Sequence, residues 1–261
     1  MTPDVLVSQD GAIATVTLRN PGKLNALTTS MWQALRRAMD ALSADEDLRC
    51  VVLRGDGSEA FAAGADIAEF AQVRDNAEQG RAYHRELVFG ALEAVAKCRH
   101  PTVAMIFGPC VGGGLEIACQ CDLRISGESG RFGVPINRLG FPIAYDELAA
   151  LLPLVGRAVA LEILVEGRIW TAVEAREKKL LTRVVTDATL DEETRTSAQR
   201  IAAGAPLVAR WHKEAVRRIT PPPAPLTEAE IEANFAYFAT EDYRIGYDAF
   251  MNKRTPKFVG R

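Results

Sequence analysis

Strand-like and helix-like segments alternate along most of this chain, and their order constrains the fold more than any other feature. Residues 13–18 alternate apolar and polar positions, as a half-buried strand does. The next segment takes Thr28 or Ser30 as its N-cap and repeats apolar residues at helical spacing as far as Leu42. Short apolar strands follow at 50–53, 103–107 and 123–125, with helical segments between them. The alternation predicts an α/β fold with largely parallel strands.

The strand signal ends near Val185, and only helical segments follow, on both sides of the proline-rich stretch 221–225. We therefore predict one main domain over residues 1–195 and a C-terminal helical region over residues 196–261.

Composition restricts both the partners that the protein is expected to bind and its expected cellular compartment. The chain has 261 residues, of which 48% are hydrophobic, and its net charge is −3. This balance argues against a nucleic-acid partner and an anionic membrane surface. Its five cysteines are an odd number, with no CxxC pair and no metal-ligand spacing to the three histidines, which predicts neither disulfides nor a metal site. We expect a cytoplasmic protein.

No membrane partner is predicted either. The N-terminal residues lack the basic start and apolar run of a signal peptide. The longest apolar tract, residues 148–165, is interrupted by Pro153, Arg157 and Glu162.

The glycine run 112–114 stands between a buried strand and a helix. Such a turn leaves backbone N–H groups unpaired at the positive end of the helix dipole. The run lacks the Lys-Ser/Thr of a phosphate-binding loop and the spacing of a dinucleotide site, so we predict that it holds a carbonyl oxygen. Glu116, in the first turn of this helix, could reach a substrate there. The alternative is that Glu116 is a surface residue that complements the dipole and that the glycines serve only packing.

Two separated motifs carry a family resemblance. Residues 61–67 read FAAGADI and residues 108–116 read GPCVGGGLE, with flanking matches from residues 25–27 to the tail 250–261. In this order they resemble the crotonase family, the enoyl-CoA hydratase/isomerase superfamily. The resemblance implies a spiral of ββα repeats with a C-terminal helical region used in assembly. It also implies a homotrimer or a dimer of trimers.

The resemblance further implies an acyl-CoA thioester substrate, with coenzyme A entering as part of that substrate and no separate cofactor. Ala65 and Gly113 match the residues whose backbone N–H groups hold the thioester oxygen, where enolate charge develops during reaction. Glu116 matches the glutamate that activates water in the hydratases.

A second group of residues matches the family's coenzyme A slot. Its members are Asn25, Ala26, Ala63, Asp66 and Ile67. In the tail, Lys253, Arg254 and Lys257 either meet the phosphates of coenzyme A or form a solvated basic tail.

The sequence departs from the hydratases at one catalytic position. Their second glutamate corresponds here to Ile136. Asp146 is the candidate replacement, followed by Glu147 and Tyr145, although each also fits a helix start or the surface. His84 matches no catalytic histidine of the family and is interpreted as a surface or packing residue.

These observations favour an enoyl-CoA hydratase. One alternative is an enoyl-CoA double-bond isomerase, which needs a single carboxylate. Another is a catalytically silent relative that binds CoA esters or RNA. A third alternative is an enzyme that catalyses a different reaction, since dehalogenases, decarboxylases and hydrolases share this scaffold.

Overall fold

A computed structural model describes residues 2–220 and 227–259 of the chain. The strands are β1 (Asp4–Asp10), β2 (Ile13–Arg19), β3 (Cys50–Gly55), β4 (Thr102–Ile106), β5 (Pro109–Val111), β6 (Leu123–Gly127), β7 (Arg131–Gly133), β8 (Trp170–Thr171) and β9 (Arg183–Val185). The helices are α1 (Thr29–Ala44), α2 (Phe70–Val73), α3 (Ala77–Ala82), α4 (Phe89–Lys97), α5 (Gly113–Gln120), α6 (Tyr145–Glu166), α7 (Ala172–Glu177), α8 (Leu190–Ala203), α9 (Pro206–Ile219), α10 (Glu228–Phe235) and α11 (Glu241–Met251). The predicted alternation of strands and helices is confirmed.

The main sheet has the strand order β1-β2-β3-β4-β6-β9. β1 and β2 are antiparallel, and every later pair of neighbours is parallel. A smaller sheet has the order β5-β7-β8. Strands β3 and β4 are almost wholly buried, as parallel strands covered by other elements are. The prediction of largely parallel strands is confirmed.

Helix α1 packs against β1, β2 and α4. Its N-cap is Thr28, whose hydroxyl accepts a hydrogen bond from the Met31 N–H at 3.2 Å, as predicted. Trp32 lies outside the apolar repeat expected from the sequence, yet it is fully buried. Its indole N–H donates to the Tyr83 hydroxyl at 3.1 Å, so α1 supports the segment before α4.

Two loops beyond β3 and β4 lie side by side. Ala62 and Cys110 form a parallel bridge, and Leu27 and Ala65 form another. The chain passes from β5 through Gly112 directly into α5. These short pairings bring together the two glycine motifs, which are far apart in the sequence.

The helices after β9 form two groups. Leu190 and Ala198 of α8 are buried in an apolar cluster with residues of β3, β4 and β6, and α8 runs across the predicted boundary at residue 195. The later helices α10 and α11 contribute to an aromatic cluster that also contains residues of earlier segments. Its buried members are Phe70, Phe141, Phe235, Tyr237 and Tyr243. The proline-rich stretch 221–225 lies outside the described residues.

Helix α6 is, among the described residues, the one helix whose length and composition would suffice to cross a membrane. Gly156 inside it has non-helical backbone angles, φ 76° and ψ 168°, so two shorter helices meet there. Neither part approaches the roughly 20 residues that a membrane span requires.

Candidate active site

The glycine turn before α5 presents an unused backbone donor. Gly112 has φ 49° and ψ −122°, a conformation that residues with a side chain rarely adopt. Its N–H donates to the Gly133 carbonyl at 2.9 Å, and its carbonyl accepts from the Glu116 N–H at 2.9 Å. Gly113 begins α5, and within the described parts of the chain its N–H has no acceptor. This N–H is available to a ligand.

The neighbouring loop leaves a second donor unused. The Leu27 N–H donates to the Gly64 carbonyl at 2.7 Å, and the Asp66 N–H donates to the Leu27 carbonyl at 2.8 Å. Ala65 lies between these bonds, and among the residues that the structure describes its own N–H has no acceptor. A Cβ built on Gly64 would lie 3.9 Å from the Gly113 nitrogen, so the two loops are in contact. The two residues predicted to hold an oxygen thus both offer a free N–H.

Both loops line one cavity of about 330 Å³. Its walls are mainly apolar and include Trp32, Val88 and Ile136. The titratable side chains in the lining are Arg74, Tyr83, His84, Glu116, Arg138 and Glu147. A concave apolar site with a few polar groups is typical of a small-molecule pocket.

Glu116 lies deep in the protein but keeps part of its surface open to this cavity. No hydrogen-bond or ion-pair partner of its carboxylate is present in the described residues. Burial raises the pKa of Glu116 well above its usual value, the nearby Glu147 carboxylate raises it further, and the Arg74 cation opposes the change. A carboxyl group in this state can exchange a proton with a ligand without first breaking a protein contact.

Glu147 supplies a second carboxylate to the cavity. It lies in the first turn of α6, where its Oε2 accepts from the Ala144 N–H at 3.1 Å and its Oε1 lies 2.5 Å from Nδ1 of His84. Burial raises the pKa of Glu147, but His84 and the Ala144 N–H lower it more, so the pKa lies below its usual value. The hydrogen bond to His84 requires a proton on one of its two atoms. The pair therefore holds a proton at the cavity wall.

Neighbouring residues in the sequence are separated here. Asp146 and Tyr145 line an adjacent cavity, whereas Glu147 and His84 line both cavities. Burial and the Glu147 charge raise the pKa of Asp146. Ile136, where the resemblance places the second glutamate of the hydratases, is in the wall of the main cavity. Glu147, and not Asp146, thus shares the main cavity with the glycine turns.

His84 is buried in the cavity wall, where the sequence predicts only a surface or packing role. It belongs to Tyr83–Val88, a π-helical turn between α3 and α4. A π-turn carries an extra residue per turn and changes which side chains face inward. An ordinary helical repeat in the sequence does not reveal such a turn, so the sequence gives no sign that His84 lines a cavity.

The predicted coenzyme A residues fall into two groups. Ala63 and Ile67 line the cavity, as does Phe250 at the end of α11. Lys253 follows two residues after α11 and is exposed, so its side chain is accessible to a soluble phosphate.

The other members of the predicted slot hold the loops in place. Asn25 is buried, and its amide nitrogen donates to the Ala60 carbonyl at 2.9 Å. The Ala26 N–H donates to the Lys23 carbonyl at 2.9 Å, and the Lys23 ammonium lies 2.6 Å from the Asp66 carboxylate. Asn25, Ala26 and Asp66 do not line the main cavity, and their contact with coenzyme A stays a prediction.

Arg74 is a cavity residue that the sequence analysis did not identify. It lies just after α2 and is only 3% exposed. Its Nη2 donates to the Tyr237 hydroxyl at 2.8 Å, and its guanidinium carbon lies 4.1 Å from the Phe141 ring centre and 4.6 Å from that of Phe70. Because Tyr237 and Phe141 come from later segments, no pattern near residue 74 signals the burial.

Comparison with known proteins shows where this fold belongs. A family model described as enoyl-CoA hydratase/isomerase matches residues 8–261. The probable enoyl-CoA hydratase of Rhizobium meliloti is 36% identical over 98% of each chain. A solved enoyl-CoA hydratase/carnithine racemase from Magnetospirillum magneticum is 49% identical, with a TM-score of 0.82 over 98% of this chain and 96% of that one. A methylmalonyl-CoA decarboxylase in complex with 2-nitronate-propionyl-CoA is 27% identical, with a TM-score of 0.88 over 100% of each chain.

The architecture is therefore the crotonase fold, a mixed α/β structure with a C-terminal helical region, as predicted. Within that class, the chain belongs to the enoyl-CoA hydratase/isomerase family. The names of its relatives support an enzyme of the crotonase type that acts on acyl-CoA.

Proposed function

We propose that the protein is an enoyl-CoA hydratase, which adds water across the conjugated double bond of an enoyl thioester. One observation carries the proposal: Glu116 and Glu147 share a cavity with two unused N–H groups. Hydration needs one group that takes a proton from water and another that supplies a proton to the α-carbon. A short-chain-enoyl-CoA hydratase from Clostridium acetobutylicum, 32% identical over 96% of this chain, supports the same reaction.

The thioester oxygen would bind to the N–H groups of Ala65 and Gly113. When water attacks the β-carbon, electrons move to this oxygen, and preorganised donors stabilise the resulting charge. One such donor is worth about 10²–10³ in rate. The N-terminal end of the α5 dipole adds to the effect because Gly113 is the first residue of that helix.

Proton transfer would use the two carboxylates in different ways. Glu116 takes a proton from water as the oxygen bonds to the β-carbon, since no protein group competes for its carboxylate. The enolate electron pair then takes the proton shared by His84 and Glu147, forming the new bond at the α-carbon. The proton held by Glu116 finally replaces the one that the pair has lost, so the net reaction adds one water.

The remaining parts of the proposal concern the whole protein. Coenzyme A would be part of the substrate, with no separate cofactor, and Lys253 would contact its phosphates.

A homotrimer or a dimer of trimers would cover apolar side chains on α9, where Trp211 and Val216 are each 60% exposed. A cytoplasmic location is supported by five cysteines that are all buried and free.

Double-bond isomerisation is a second candidate. It is favoured by Ile136, which stands where the hydratases carry their second glutamate. An isomerase removes a proton from one carbon and returns it to another, so Glu116 alone could serve both steps.

A paired assay in deuterated water tests the proposal. Purified protein would be given a short α,β-enoyl-CoA and the matching β,γ-enoyl-CoA, and the products would be identified by mass. We expect the α,β substrate to gain one D₂O. Movement of the double bond without addition of water would identify an isomerase. Esters that bind but do not react would identify either a silent relative or an enzyme that acts on a different acyl group. RNA binding that weakens with salt, in place of ester binding, would support the RNA-binding alternative.

A pH profile of the hydration rate tests the raised pKa of Glu116. As pH falls through this pKa, protonation removes the base, so kcat/KM should decrease. Arg74→Met removes a cation that lowers the pKa, so the acidic limb should move to higher pH. An acidic limb that stays at the same pH in Arg74→Met would contradict a basic role for Glu116. A profile in which activity is lost only as pH rises would contradict it too.

A further inference from the structure

Arg74 places a positive charge in the wall of the main cavity, where it has no ion-pair partner among the described residues. No carboxylate of the described residues lies within ion-pair distance of its guanidinium. Its hydrogen bond to Tyr237 uses Nη2, whereas Nε is buried without a partner and Nη1 has no acceptor in the described chain. A side chain with five donors thus uses only one of its nitrogens within the protein.

A buried cation in these surroundings is costly unless something compensates it. The rings of Phe70 and Phe141 stabilise the guanidinium through their faces, but they cannot accept its N–H bonds as an oxygen would. The Tyr237 hydroxyl is a neutral acceptor. The arginine is therefore held in place by aromatic contacts and one hydrogen bond. Its charge acts on the Glu116 and Glu147 carboxylates, but no carboxylate of the described residues forms an ion pair with it.

We infer that Arg74 binds a carboxylate at the far end of a short acyl chain, so that the substrate is a CoA thioester of a dicarboxylic acid. The inference rests on the proposed function, because it takes the thioester to lie at the Ala65 and Gly113 N–H groups. Ala65, Gly113 and Arg74 line the same cavity, so an acyl chain bound there can reach the guanidinium. The planar guanidinium matches a carboxylate in shape as well as charge.

The phosphates of coenzyme A are a poorer match for Arg74. They are separated from the thioester by the pantetheine arm, whereas Arg74 is close enough to the reacting region for its charge to act on Glu116. The side chains around Arg74 are aromatic, and Arg74 is nearly inaccessible to water. Such surroundings suit a small anion at the end of an apolar chain.

Binding of unreactive esters tests this inference apart from catalysis. Calorimetry would compare succinyl-CoA with butyryl-CoA, and glutaryl-CoA with pentanoyl-CoA, so that each pair has equal carbon number and differs in the carboxylate. We expect the wild-type protein to bind at least one dicarboxylic ester about ten- to hundredfold more tightly than its neutral partner. Arg74→Met should abolish this preference while retaining butyryl-CoA binding, and Arg74→Lys should retain part of the preference.

Butyryl-CoA binding is the control for folding and for the proposed function. Equal or tighter binding of the neutral esters by the wild-type protein would overturn the carboxylate inference but leave an acyl-CoA enzyme in place. A preference that persists in Arg74→Met would overturn the role of Arg74. Failure of the wild-type protein to bind any of the esters would overturn both the inference and the proposed function.

Discussion

Replacing Glu116 by glutamine is expected to lower kcat for enoyl-CoA hydration by about 10²–10⁴-fold, or roughly 3–5.5 kcal/mol of barrier. The amide keeps the size of the side chain but cannot take a proton from water. Because the Glu116 carboxylate has no partner in the described residues, the change breaks no contact there. Butyryl-CoA should therefore bind to the variant as it does to the wild-type protein, and steady-state kinetics with calorimetry would measure both quantities.

Glu128 provides a matched control. It is exposed in the segment between β6 and β7, and Glu128→Gln makes the same chemical change outside the cavity. Hydration should be unaffected by this control variant. A Glu116→Gln variant that retains the wild-type rate would remove Glu116 from the mechanism.

Glu147→Gln is expected to reduce hydration by about 10²-fold or more, because the variant cannot share a proton with His84 as the carboxylate does. Glutamine can still accept the Ala144 N–H bond, so the start of α6 should be retained. Isomerisation of a β,γ-enoyl-CoA should be affected much less, since Glu116 can carry out that reaction alone. The measurement is the ratio of the hydration rate to the isomerisation rate in wild type and variant.

Asp146→Asn is the control for this second prediction. Asp146 precedes Glu147 in the same turn but lines the adjacent cavity. We expect wild-type hydration in this variant. Loss of hydration in Asp146→Asn with full activity in Glu147→Gln would favour Asp146, the candidate predicted from the sequence, over Glu147.

The fold and half of the candidate site could be predicted because their signals are local. The apolar alternation of β2 and the Thr28 N-cap of α1 are each contained in a few consecutive residues. The same holds for the glycine turn, in which Gly113 and Glu116 are only three positions apart. Local geometry there fixes both the free N–H and the carboxylate that follows it.

The other half of the candidate site depends on contacts between segments that are distant in the sequence. Glu147 meets His84 only after α6 packs beside the π-helical turn, and the hydrogen bond joins residues 63 positions apart. Arg74 becomes buried only when aromatic residues from later helices cover it. Neither arrangement leaves a periodic pattern in the sequence, so spacing alone could favour Asp146 and could not single out Arg74.

The contact between Arg74 and Tyr237 spans 163 positions of the chain, which has a consequence for folding during synthesis. On the ribosome, the sheet strands and the glycine turns emerge well before residue 237. Until then the guanidinium can stay hydrated, so early folding does not bear the cost of burying this charge. We therefore expect this part of the cavity wall to form late, after the rest of the core has had time to form.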